Sequence, residues 1–131
     1  MNWKLLITFF MFLQFAGELK AQRKLNVDTV FKYICELGIV HPEIVIKQAV
    51  LETGWFKAPA LMKKNNIFAF RAKQYLTFSS WQECARYYKT WQDKRYKDHT
   101  EDYYHFLVRI KYATPQYPQH LRKIKLNMTC D

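Results

Sequence analysis

A chain of 131 residues is long enough for one sizeable hydrophobic core and too short for two. Half of its residues are hydrophobic and 18% are aromatic, which excludes a disordered tail. A formal charge of +10 selects anionic partners, whether nucleic acid, anionic lipid or an anionic cell-wall polymer, without choosing among them.

The first residues read as a leader. Met1-Asn2-Trp3-Lys4 followed by the apolar run Leu5 to Leu13 has the basic start and short hydrophobic stretch of a secretory signal, and it is too short to span a bilayer. Cleavage after Ala21 would divide the chain into a signal peptide, residues 1–21, and a domain, residues 22–131. The domain is then an exported one, periplasmic or secreted, with no stable membrane insertion. Losing Lys4, Lys20 and Glu18 lowers the charge only from +10 to +9.

The domain reads as mainly α. Val27, Val30, Phe31, Ile34 and Cys35 recur at helical spacing, with Gly38 just past the end. His41-Pro42 opens a second helix, hydrophobic nearly all round through Glu52, which places it in the core. Pro59 starts a short helical turn that Lys63-Lys64-Asn65-Asn66 ends. Ile67 to Phe70 and Tyr75 to Phe78 are brief apolar segments that allow at most a minimal β-hairpin. Ser80-Trp81-Gln82-Glu83 is a capping box that begins a helix with Trp81, Cys84, Ala85, Tyr88 and Trp91 inward. A further helix starts near Thr100-Glu101-Asp102, and a last basic one runs from Pro118 to about Leu126.

Chemistry concentrates at Gln48-Ala49-Val50-Leu51-Glu52-Thr53-Gly54-Trp55. A carboxylate in the last turn of a helix meets the negative end of the macrodipole, so Glu52 is the wrong charge for stability. Apolar neighbours and the dipole both favour its protonated form, as a general acid requires. Val45, Gln48, Ala49 and Glu52 share one helical stripe, so an amide and the carboxyl lie on one face. Most of the other acids have an ordinary structural role: Glu83 in the capping box, Glu101, Asp102 and Glu43 in first turns, Glu36 toward solvent. The histidines stand in polar settings and read as surface. Three widely separated glycines cannot cradle a phosphate, and no metal-ligand spacing is present, so neither a metal nor a cofactor is expected. Cys35 and Cys84 read as buried small residues; an oxidising compartment would permit one disulfide among Cys35, Cys84 and Cys130.

Four segments in series carry a resemblance. Gln48 to Trp55, Asn65-Asn66-Ile67-Phe68, Tyr75 to Tyr88 and Lys111-Tyr112-Ala113-Thr114 to Tyr117 are similar, in order, to the glucosaminidase domain of glycoside hydrolase family 73. The similarity covers roughly residues 25 to 126. It implies a small lysozyme-like helical domain, acting as a monomer on peptidoglycan glycan strands rather than nucleic acid. The implied reaction is cleavage of the β-1,4 bond after N-acetylglucosamine. The family's A-x-x-E-[ST]-G-W acid maps to Glu52, and a tyrosine implied to assist catalysis maps to Tyr112. Aromatic faces suited to sugar rings are Trp55, Phe68, Phe70, Tyr88 and Tyr112, and Asn66 can donate to and accept from an N-acetyl group. Most other aromatics, Trp81, Trp91 and Phe106 among them, read as core.

The departures from the family pattern matter. Ala69 and Lys111 each stand where the family has glycine. Only Arg71-Ala72-Lys73-Gln74 lies between Phe70 and Tyr75, where the family has a longer lobe bearing a second carboxylate. Two carboxyl groups are the usual requirement for glycoside hydrolysis. With one, the favoured reading is attack by the substrate's own acetamido group. The alternatives are a lytic transglycosylase using Glu52 alone, or a wall-binding module that does not cut.

Overall fold

A computed structural model of the chain describes residues 25–131. The expected signal peptide, residues 1–21, lies outside the described residues. Six helices form the described part: α1 (Val27–Glu36), α2 (Pro42–Thr53), α3 (Pro59–Lys63), α4 (Trp81–Arg95), α5 (Tyr103–Arg109) and α6 (Tyr117–Arg122). The domain is mainly helical as expected, and no strand forms among the described residues. The expected hairpin reduces to one antiparallel bridge between Arg71 and Tyr75, extended by the Leu76 amide donating to the Phe70 carbonyl at 2.9 Å. The ladder goes no further because the Asn66 side chain takes the Phe70 amide and the Leu76 carbonyl.

Local chemistry sets the helix limits. The Asn26 side chain accepts from the Thr29 amide at 2.9 Å and starts α1, a cap that the reading of the sequence passed over. In the capping box before α4, Ser80 Oγ accepts from the Glu83 amide at 3.1 Å. The reciprocal arm reaches one residue further back than the standard box, with Glu83 accepting from the Ser79 amide at 2.7 Å. The last helix is shorter than expected, ending at Arg122.

Helix α2 is the axis of the domain. Val45, Ile46, Gln48 and Ala49 are all fully buried, and α2 packs against α1 on one side and α6 on another. Helix α4 contributes Cys84, Ala85, Tyr88 and Gln92 to the same core. A buried polar chain crosses it. Tyr88 donates to Gln48 Oε1 at 2.5 Å and shares a short hydrogen bond with Tyr103, whose hydroxyl accepts from Gln92 Nε2 at 3.0 Å. Gln92 also closes a pair of 2.8 Å bonds with the Val40 backbone, tying α4 to the α1–α2 turn. Buried hydrogen-bond chains of this kind fix relative positions, because each bonded member loses heavily if its partner moves.

Two expectations are corrected here. Cys35 is not a lone apolar residue; it is disulfide-bonded to Cys130, which clasps the carboxyl-terminal tail to α1. Cys84 is the buried free cysteine, its thiol pushed up to about 12 by burial. His41 is not simply surface either. Its Nε2 lies 3.1 Å from the Tyr96 hydroxyl, and its ring packs 5.2 Å from that of Tyr103.

Candidate active site

Glu52 stands in the last turn of α2, half-buried, on the wall of a cleft of about 480 Å³. The helix ends there because Gly54 adopts a left-handed conformation (φ 55°) and the Trp55 amide reaches back to the Val50 carbonyl at 2.9 Å. Trp55 and Phe56 continue in the same region at φ 60° and 62°. Three successive left-handed residues are costly for side-chain-bearing positions. Thr53 holds the turn: its Oγ1 donates to the Ala49 carbonyl at 2.7 Å and accepts from the Phe56 amide at 2.8 Å. Strain concentrates directly beside the carboxyl, where binding and catalytic sites commonly store it.

The facing wall comes from two other segments. One is the loop Phe68-Ala69-Phe70-Arg71-Ala72, and the other is Ile110-Lys111-Tyr112 after α5. Tyr112 joins them by donating to the Phe68 carbonyl at 2.6 Å. Trp91, from α4, packs edge-on against Tyr112 at 5.6 Å and completes an aromatic side. Both substituted glycine positions retain the glycine conformation, with φ 56° at Ala69 and 58° at Lys111. The chain keeps the backbone that glycine favours and accepts the steric cost.

Burial is the main influence on the Glu52 carboxyl and raises its pKa; the neighbouring Tyr117 hydroxyl acts in the opposite direction. Tyr117 Oη lies against both Glu52 and Gln48, yet neither it nor Gln48 Nε2 completes a well-formed hydrogen bond among the described residues. Two buried polar atoms are thus left unsatisfied directly behind the acid. Glu52 is the sole carboxylate lining the cleft among the described residues, so the shortened lobe is not replaced by an acid from elsewhere.

Of the residues singled out from sequence, the fold brings Glu52, Phe68, Phe70 and Tyr112 to this cleft, Phe68 and Phe70 as largely buried parts of its wall, 1% and 9% exposed. Three others are placed differently. Asn66 is fully buried, and its amide is spent on the Phe70 amide and carbonyl and the Leu76 carbonyl, at 2.9 to 3.0 Å. It shapes the loop and offers no group to a sugar. Tyr88 is fully buried in the polar chain behind Phe68, so its ring supports the floor and has no face free for a ligand. Trp55 is 49% exposed but stands outside the wall of the Glu52 cleft. Conversely, Trp91 was read as core and in fact lines the cleft. Sequence reasoning also passed over Gln48 and Tyr117 as a pair, and over Arg71, Arg95 and Lys111. The shared stripe of Gln48 and Glu52 was the one available signal for the first.

A half-buried carboxyl in the aromatic-walled cleft of a helical domain is an arrangement suited to general acid chemistry. The family follows from the chain as a whole. Residues 29–129 match the glucosaminidase family model, described as mannosyl-glycoprotein endo-beta-N-acetylglucosaminidase, and the chain belongs to that family of glycoside hydrolases. No curated protein and no solved structure is matched by the chain.

Proposed function

We propose that the chain is an exported peptidoglycan hydrolase, an endo-β-N-acetylglucosaminidase that cuts the β-1,4 bond after N-acetylglucosamine. The observation that carries this reading is Glu52 itself: a family acid position, desolvated, on the wall of a cleft that holds no second carboxylate among the described residues. Export is supported by the leader-like start of the chain and by the Cys35–Cys130 disulfide, since such bonds persist in oxidising compartments.

The mechanism follows from the single carboxyl. Protonated Glu52 gives its proton to the glycosidic oxygen as the carbonyl oxygen of the 2-acetamido group attacks C1. The C1–O bond breaks, an oxazolinium ring forms, and the aglycone leaves as an alcohol. Glu52, now a carboxylate, takes a proton from the water that attacks C1 and reopens the ring. One water is consumed and one reducing end is released. Substrate-assisted hydrolysis of this kind is a recognised exception to the two-carboxylate rule. Tyr112 packs beside this path, its hydroxyl committed to the Phe68 carbonyl and its oxygen still able to accept from an acetamido N–H.

Purified sacculi test the reading. Reducing ends should be released by the wild-type chain and not by Glu52→Gln, with binding retained. Binding by both without release would make the chain a wall-binding module. Products short of one water would make it a lytic transglycosylase, and turnover of a substrate stripped of its acetamido group would rule out substrate assistance.

A further inference from the structure

The cleft beside Glu52 has a charge pattern that the hydrolytic scheme does not use. Arg71, Arg95 and Lys111 all line it, from the loop after Phe70, the last turn of α4 and the turn after α5 respectively. All three are exposed, and none forms an ion pair among the described residues. Unpaired cations are common in the domain, where only Arg109 with Glu101 and Lys89 with Asp93, each at 2.8 Å, are Lys or Arg ion pairs among the described residues; what Arg71, Arg95 and Lys111 share is the cleft. A position in the last turn of a helix accounts for Arg95 alone. Arg71 rests over the Tyr75 ring at 4.9 Å, an arrangement that leaves its guanidinium edge free to bind. Lys111 occupies a left-handed position where glycine would be cheaper, so its side chain is retained against a backbone cost. Three like charges converging on one groove repel one another, and the repulsion is relieved by an anionic ligand.

We propose that Arg71, Arg95 and Lys111 form a carboxylate-recognition strip, which selects glycan strands bearing carboxylates over neutral N-acetylglucosamine polymers. This rests on the reading of the cleft as a glycan site and names its substrate class. Guanidinium and ammonium groups recognise carboxylates through charge-assisted hydrogen bonds, Arg in a two-pronged fashion. In a peptidoglycan strand the carboxylate comes from the attached peptide or, on units without a peptide, from the lactyl group of the muramic sugar, whose carboxyl otherwise forms the amide to the peptide.

The test uses the full chain carrying Glu52→Gln, so that binding is read without cleavage, in cosedimentation with purified sacculi at several salt concentrations. One variant adds Arg71→Gln, Arg95→Gln and Lys111→Gln. A control adds Lys32→Gln, Lys97→Gln and Lys125→Gln, the same charge change on exposed cations away from the cleft. The cleft variant should bind at least about tenfold more weakly, since charge-assisted hydrogen bonds are lost, while the control stays within about twofold. Converting the sacculus carboxylates to amides should abolish the difference between the two variants. Stripping the peptide frees the lactyl carboxylate of each muramic sugar: a difference that survives shows that the strip takes the lactyl carboxylate of peptide-free units, and its disappearance assigns the peptide. Equal weakening of both variants overturns the proposal, as does unchanged binding to amidated sacculi. Reducing-end release by the chain with native Glu52 reports separately on the hydrolase reading. Cleavage without discrimination sinks only the strip, and discrimination without cleavage sinks only the hydrolase.

Discussion

Tyr117 and Glu52 meet behind the cleft, although one begins α6 and the other ends α2. The phenol lies against the carboxyl and favours its charged form, while burial favours the neutral one and is the larger effect. The packing of α6 on α2 therefore sets the protonation of the candidate acid.

Replacing Tyr117 by Phe removes the hydroxyl that holds the Glu52 pKa down. The pKa should rise further, and the alkaline limb of the kcat profile, where a general acid loses its proton, should move to higher pH. The Tyr117 hydroxyl is buried without a well-formed hydrogen bond, so the same change should cost less than about 1 kcal/mol of stability or be neutral. A pH–rate profile and a denaturant titration of the two proteins check both statements.

Glu52→Gln should lower turnover by about 10² to 10⁴ or more, the usual range for a general acid. Its effect on stability depends on pH. A carboxyl whose folded pKa is raised binds more protons folded than unfolded, so stability is lost as pH rises from the unfolded pKa through the folded one. Gln carries no such penalty. The variant should be more stable than wild type at neutral pH, and the gain should vanish near pH 4; thermal melts at both pH values measure it.

Ala69→Gly and Lys111→Gly should each stabilise the fold by about 0.5–1 kcal/mol, because relief of the left-handed strain exceeds the extra entropy of glycine in the unfolded chain. Equilibrium unfolding reads this directly. By the charge argument above, Lys111→Gly alone should also weaken binding to sacculi. Ala69→Gly carries no charge change and should leave that binding unaltered.

The Cys35–Cys130 bond closes a loop with a sequence separation of 95 residues. Chain-entropy arguments assign such a loop between about 4 and 5 kcal/mol, and measured losses on removal run from about 2 to 5. Cys35→Ser with Cys130→Ser should therefore lower the melting temperature by about 10 °C or more in a domain of this size. A thiol reagent should find no reactive cysteine in the native protein and one, Cys84, after unfolding without reductant.

The helical class, the helix starts at Pro42, Pro59 and Trp81, and the importance of Glu52 were legible from the chain, because periodicity, caps and a misplaced charge are local signals. Asn66 and Tyr88 show where such reading fails. Each has the right chemistry to meet a sugar, and each is sealed because its hydrogen bonds are taken by Phe70, Leu76, Gln48 and Tyr103, from other turns and helices.

What the sequence determined by itself was a carboxyl at the end of a buried helix and the absence of its customary partner in the lobe after Phe70. Tertiary structure alone decided what surrounds that carboxyl. It sets Tyr117 behind it, Tyr112 and Trp91 beside it, and Arg71, Arg95 and Lys111 along the cleft. These residues come from separate elements whose juxtaposition depends on how α2, α4, α5 and α6 pack. Side-chain burial and electrostatic environment are properties of that packing, and no local pattern in the chain encodes them.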